Sequence, residues 1–150
     1  MNSSHQDDLF DLGRFIRAQE SIFDQALAEI RAGDKESHWM WLIFPQIDGL
    51  GFSSTAKHYA IKSLEEARQY LSHPILGARL RECTQAVFAV EGRSAHDIFG
   101  SPDDMKLKSC MTLFESIDGQ DSVFGQVLDK YYQGQRDKRT QDILEGMREG

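Results

Sequence analysis

The sequence predicts an all-α fold: a single multihelical globular domain of about seven to nine helices, with little or no β-structure. Three observations carry this. Apolar residues recur at helical spacing through most of the chain. Helix-starting side chains and helix-ending glycines stand at the edges of those windows. No alternating run of β-branched residues extends beyond about four.

The elements follow in order. Asp8 to Gln19 reads as a helix, with Leu9, Leu12, Phe15 and Ile16 on one arc and Gln19 among them. A second helix runs from about Ser21 to Ala32, with Ser21 and Asp24 spaced as a capping box and Gly33 suited to end it. Trp39 to Phe44 is apolar nearly throughout, so periodicity leaves helix and strand both open, and Pro45 ends it. Ser54-Thr55 is placed to cap a short helix through Ala60, and Ser63 with Glu66 forms a second capping box for a helix to Leu71. His73-Pro74 opens the next helix, striped by Leu76, Leu80, Cys83, Val87 and Val90. Ser94 to Phe99 is one short turn of helix. Ser101-Pro102-Asp103-Asp104 reads as N-cap, proline and two acids at the positive end of a helix dipole, and Leu107, Cys110, Met111, Phe114 and Ile117 face inward. A helix from Val123 closes at Gly134, and the last runs from Thr140 to about Met147, capped by Asp137 or Thr140.

The chain of 150 residues is 40% hydrophobic and 27% charged, enough to bury one core across residues 1–150. The ends, about 1–7 and 148–150, are expected to be ragged. A formal charge of −7 argues against a nucleic-acid partner, while leaving room for a local basic patch. Cys83 and Cys110 lie in apolar helical patterns and read as buried thiols. No apolar run approaches the ~20 residues that span a bilayer, and the start lacks a signal-peptide pattern. A cytoplasmic protein without a membrane partner is the expectation; a homo-oligomer is compatible with it.

No strong mechanistic motif is present, and no metal or cofactor is predicted. Three features stand out instead. "KESHWMWLIFPQIDGLG", Lys35 to Gly51, gathers Lys35, His38, Trp39, Trp41 and Gln46. Aromatic faces stack flat ligands, and cations meet phosphates; the competing reading is that the tryptophans are core anchors and Gln46 satisfies a loop. Second, Lys106 falls inside the apolar arc of Leu107, Cys110, Leu113 and Phe114, near Asp103 and with Ser109 one turn on. A charge there must snorkel out, pair with an acid such as Asp103, or line a cavity. Third, Gln19 is an amide on an apolar arc.

These segments, with "RFIRAQ" (Arg14–Gln19), "YAIKSLEEARQYLSHPILGARLREC" (Tyr59–Cys83) and "IFGSPDDMKLKSCMTLF" (Ile98–Phe114), resemble a bacterial family known as domain of unknown function 1810. The likeness covers nearly the whole chain and implies a mainly α-helical domain. It implies no activity. Some members carry the label calpastatin, but calpastatin-like inhibitors resemble long disordered chains and this sequence does not. Cys110 stands where the resemblance leads one to expect a small residue or serine, which implies packing.

Three functions are therefore weighed. The first is a pocket for an anionic or nucleotide-like (ADP-ribose-type) small molecule, lined by Gln19, Lys35, His38, Trp39, Trp41, Gln46, Lys106 and Ser109. Whether a reaction follows binding is open; a hydrolytic or N-glycosidic step would draw on Asp103, Lys106 or His38. The second is a protein-interaction module with an exposed apolar groove. The third is a structural or oligomeric protein whose polar residues only complete hydrogen bonds.

Overall fold

The computed structural model describes residues 8–149, so the expected ragged start and Gly150 lie outside the described residues. Among the described residues there are ten helices: α1 (Gly13–Gln19), α2 (Phe23–Ala32), α3 (Met40–Ile43), α4 (Ser54–His58), α5 (Leu64–Ser72), α6 (Leu76–Ala89), α7 (Ala95–Phe99), α8 (Asp103–Asp118), α9 (Val123–Tyr132) and α10 (Lys138–Glu149). The fold is all-α as predicted. The count reaches ten because the ambiguous tryptophan segment is a helix of one turn. Phe44, before Pro45, leaves it at φ −122° and ψ 73°, the non-helical backbone that a following proline enforces. The β-structure among the described residues is one isolated parallel bridge between Ile47 and Ile61.

Several helix starts differ from expectation for local reasons. α1 begins at Gly13, not Asp8, because the Asp8 carboxylate accepts from the N–H groups of Leu12 (2.5 Å) and Gly13 (3.0 Å). Asp8 therefore caps the helix instead of opening it. Ser21 does not cap α2, whose N-cap is Ile22 without a side-chain bond; Gly33 ends it at φ 72° as expected. Ser53, one residue before the predicted pair, caps α4. Ser63 caps α5, but Glu66 bonds the N–H of Lys62 rather than completing the box. Pro74 stands before α6, not in it, and His73 Nδ1 accepts from the N–H groups of Ile75 and Leu76. Pro102 takes the N-cap place of α8 that the sequence assigns to Ser101. Asp137 caps α10 through Thr140 N–H at 3.0 Å, and that helix runs past Met147 to Glu149.

Two long helices organise the core. α6 packs against α2, α3, α5 and α9, while α8 packs against α5, α7, α9 and α10. Their predicted stripes are buried at Leu76, Leu80, Cys83 and Val87 on α6 and at Leu107, Cys110, Met111 and Phe114 on α8, and partly buried at Val90 and Ile117. A chain of aromatic contacts crosses between elements, from Phe15 to Tyr70 (5.0 Å, edge-on), to Phe114 and on to Phe124 (5.7 Å each). Both cysteines are buried free thiols, and burial pushes Cys83 up to about 12. A buried ion pair secures the edge of this core. Arg14 donates to Glu66 Oε2 at 2.8 Å and also to the carbonyls of Phe10, Asp11, His58 and Ala60. Such complete pairing is what makes a buried charge tolerable.

Candidate functional site

The tryptophan segment is fixed from α2. Trp39 is 1% exposed, and its Nε1–H donates to Glu29 Oε1 at 2.8 Å. The same carboxylate accepts from the N–H groups of Glu36 and Ser37 and from the Ser37 hydroxyl. Partial burial pushes Glu29 upward, but these donors outweigh it and bring its pKa down from 4.5 to about 2. Trp39 is thus a core anchor whose face is closed to a ligand.

Lys35 extends from this anchor. Its Nζ lies 4.9 Å from the centre of the Trp39 ring, donates to Ser37 O, and pairs with Asp103 Oδ2 at 2.8 Å. The Lys35 side chain is only 6% exposed. The other oxygen of Asp103 lies 3.5 Å from Lys106 Nζ, which stands 4.3 Å from the centre of the Trp41 ring. Lys106 therefore satisfies two of its predicted alternatives together: it pairs with Asp103 and lines a cavity. Two ammonium groups share one carboxylate, so the cluster carries a net positive charge within an acidic protein.

That charge stands on the wall of a cleft of about 480 Å³. Trp41, Gln46, Lys106 and Ser109 line it, which brings together four of the eight predicted ligand residues. The segment carrying Gln46 is held by hydrogen bonds from Ile61 N–H to Gln46 O and from Asp48 N–H to Ile61 O, both 2.8 Å. Gln46 is 4% exposed, and its Nε2 is buried with no hydrogen-bond partner among the described residues. Ser109 is satisfied by Met105 O on its own helix. Gly51 lets the loop lie against the wall, since a Cβ there would stand 2.7 Å from Ala56 Cβ and 3.1 Å from Trp41 Cη2.

The remaining predicted residues lie elsewhere. Gln19 donates to Leu42 O (2.7 Å) and Tyr70 Oη (3.2 Å), and accepts from Arg79 (3.3 Å), so it is a structural amide. His38 is exposed and is not part of the cleft lining. Asp103, Lys35 and Trp39 stand behind the wall as supports for Lys106. Conversely, the cleft contains residues that the sequence reading missed: Phe52, 77% exposed at the rim, Met105, Asp137 and Arg139. Arg139 donates to Gly49 O across the mouth at 3.3 Å. It comes from the far end of the chain, and no local pattern marks it. Phe52 had a signal, a large apolar residue directly after a Gly-Leu-Gly turn.

A second groove, of about 430 Å³ between α8 and α10, is similar in size. Of its charged residues, Glu115 is already paired with Arg136 at 2.6 Å and Lys138 with Asp142 at 3.2 Å. Among the described residues no three His, Cys, Asp or Glu side chains converge as metal ligands, and no helix is long and apolar enough to cross a membrane.

Comparison with known proteins gives a family and a fold. No curated protein matches the sequence. The chain is similar to a conserved hypothetical protein, Rv1873, from Mycobacterium tuberculosis, whose crystal structure superimposes with a TM-score of 0.87 at 51% identity, over 90% of this chain and 96% of that one. A family described as proteins of unknown function, DUF1810, matches residues 9–144, and the chain belongs to that family.

Proposed function

We propose that the protein binds a small anionic, nucleotide-like ligand in the cleft between α3, the loop after Pro45, and the first turns of α8 and α10. The observation that carries this is Lys106. It stands on the cleft wall, held by Trp41 and by an aspartate that a buried lysine already claims at 2.8 Å. Its charge is therefore only partly met by protein, and Arg139 adds a second cation. One oxygen of the Asp137 carboxylate, Oδ2, is tied to the start of α10, accepting from Thr140 N–H and Oγ1–H. Phe52, Leu50 and Met105 offer apolar surface for a ring beside these cations. The volume suits such a ligand. Convergent polar groups favour this over a protein-docking groove, and the unpartnered Gln46 favours it over a purely structural role.

In this reading Asp103 is a positioning residue, because both its oxygens face lysines. ADP-ribose, NAD, AMP and pyrophosphate are the probes. Saturation at a hundred times Kd stabilises the folded state by about 2.7 kcal/mol, a shift of several degrees in melting temperature. Lys106→Met removes that shift. A panel without any shift, or a shift that survives Lys106→Met, refutes the assignment. Product analysis of the same mixtures reports whether turnover accompanies binding.

A further inference from the structure

We infer that Gln46 selects the ligand. Resting on the binding cleft proposed above, the inference is that Gln46 Nε2 donates to a neutral acceptor, a ring nitrogen or carbonyl, at the inner end of the ligand, while Lys106 holds the anionic end. The contrast with Gln19 carries the argument. Both are buried amides, at 1% and 4% exposure. Gln19 has three partners and Gln46 Nε2 has none among the described residues. The other buried polar side chains follow Gln19: Thr84 donates to Leu80 O, Thr112 to Lys108 O and Thr140 to Asp137. Nor is Gln46 on a slack segment that strays, since its backbone is bonded to Ile61 on one side and preceded by Pro45 on the other. A buried donor left unpaired destabilises the folded state. Position 46 therefore carries a stability cost that methionine, of similar size, would avoid. A ligand acceptor accounts for it, and Gln46 is a lining residue of the same cleft as Lys106.

An amide N–H and an ammonium discriminate different chemistry. The ammonium attracts any anion; the amide needs a directed acceptor and gains little from charge alone. Ligand selection should thus separate into two halves, one for each residue.

The test compares wild type, Gln46→Met and Lys106→Met, each with ADP-ribose and with inorganic pyrophosphate, by calorimetry and thermal melting. Without ligand, Gln46→Met raises the melting temperature by about 2–4 °C. It weakens ADP-ribose about tenfold and leaves pyrophosphate within about twofold. Lys106→Met weakens both. An unchanged or lower melting temperature for free Gln46→Met overturns the inference, because the amide then has a structural partner. Equal losses for the two probes overturn it as well. Should Gln46→Met keep full ADP-ribose affinity while Lys106→Met loses it, the cleft stands and this inference alone falls. If neither probe binds wild type, both readings fall together.

Discussion

The three-charge cluster makes a quantitative prediction about stability. Lys35 Nζ and Asp103 Oδ2 are 2.8 Å apart with side chains 6% and 19% exposed, whereas Lys106 is 3.5 Å away and 25% exposed. At an effective dielectric of about 20, Coulomb attraction is ~6 kcal/mol for the nearer pair and ~5 kcal/mol for the farther. Desolvation cancels most of this, and more of it for Lys35, the more buried ion. What remains decides the ranking of variants. Asp103→Asn leaves Lys35 buried against only Ser37 O and the Trp39 face, and should cost ~3–4 kcal/mol. Lys35→Met leaves Asp103 still paired with Lys106, so ~2 kcal/mol is expected. Lys106→Met removes the more exposed and more distant partner and should cost under ~1 kcal/mol. The double variant Lys35→Met/Asp103→Asn should fall short of the sum of its singles by ~2 kcal/mol, because the first change removes the charge that the second strands. Urea denaturation followed by circular dichroism, with the slope checked for constancy, measures all four. Additivity of Lys35 and Asp103 within ~0.5 kcal/mol, or a cost for Lys106→Met equal to that of Asp103→Asn, would refute the cluster as described.

Two further outcomes follow from the same geometry. Glu29 titrates at about 2 in the folded chain against an ordinary 4.5, so the stability it contributes is present above pH 4.5 and is lost as the pH falls toward 2; Glu29→Gln should flatten that acid limb in pH-dependent melting, and an unchanged acid limb would contradict it. Gly51→Ala forces its Cβ against Ala56 and Trp41, with a cost of ~1–3 kcal/mol and a displaced cleft loop, read as weaker ADP-ribose binding at unchanged helix content; wild-type stability and affinity in this variant would show that the loop does not need glycine there.

What the sequence made legible was what depends on neighbours a turn away. The stripes of α6 and α8 are local periodicities, and the structure buries them as expected. Lys106 was conspicuous because a charge on an apolar arc demands an explanation, and both its partners, Asp103 on its own helix and Trp41, lay within segments already singled out. Gln19 and Gln46 gave the same signal and had opposite outcomes. An amide in apolar surroundings is visible in sequence, but whether it is satisfied depends on groups such as Tyr70 and Arg79, 51 and 60 residues from Gln19. Glu29 was missed for a related reason: an acid on the polar side of a helix looks solvated until the loop of Glu36, Ser37 and Trp39 closes over it. Arg139 meets Gly49 across 90 residues, beyond the reach of any periodicity. The helix starts erred where caps are made from outside the helix, as Asp8 and His73 do.

The division of labour among the marked residues also explains why the tryptophan segment mixes core and polar side chains. A lysine on a cleft wall is ordinarily mobile, and holding it against an anion costs side-chain entropy at the moment of binding. Here that ordering is already done. Trp39 is anchored in the core by Glu29, Lys35 packs on Trp39, Asp103 bridges Lys35 to Lys106, and Lys106 lies on Trp41. Each link is a hydrogen bond, an ion pair or a cation–π contact, and the sequence ends on a cation on the cleft wall. Supports of this kind are what give a site its geometry. Truncating a support should therefore loosen Lys106 without touching a ligand, whereas truncating Lys106 or Gln46 should remove contacts directly. The polar residues of this segment are thus neither one binding motif nor a set of unrelated core oddities: Lys35, Trp39 and Asp103 hold the wall, and Lys106, Gln46 and Arg139 stand on it.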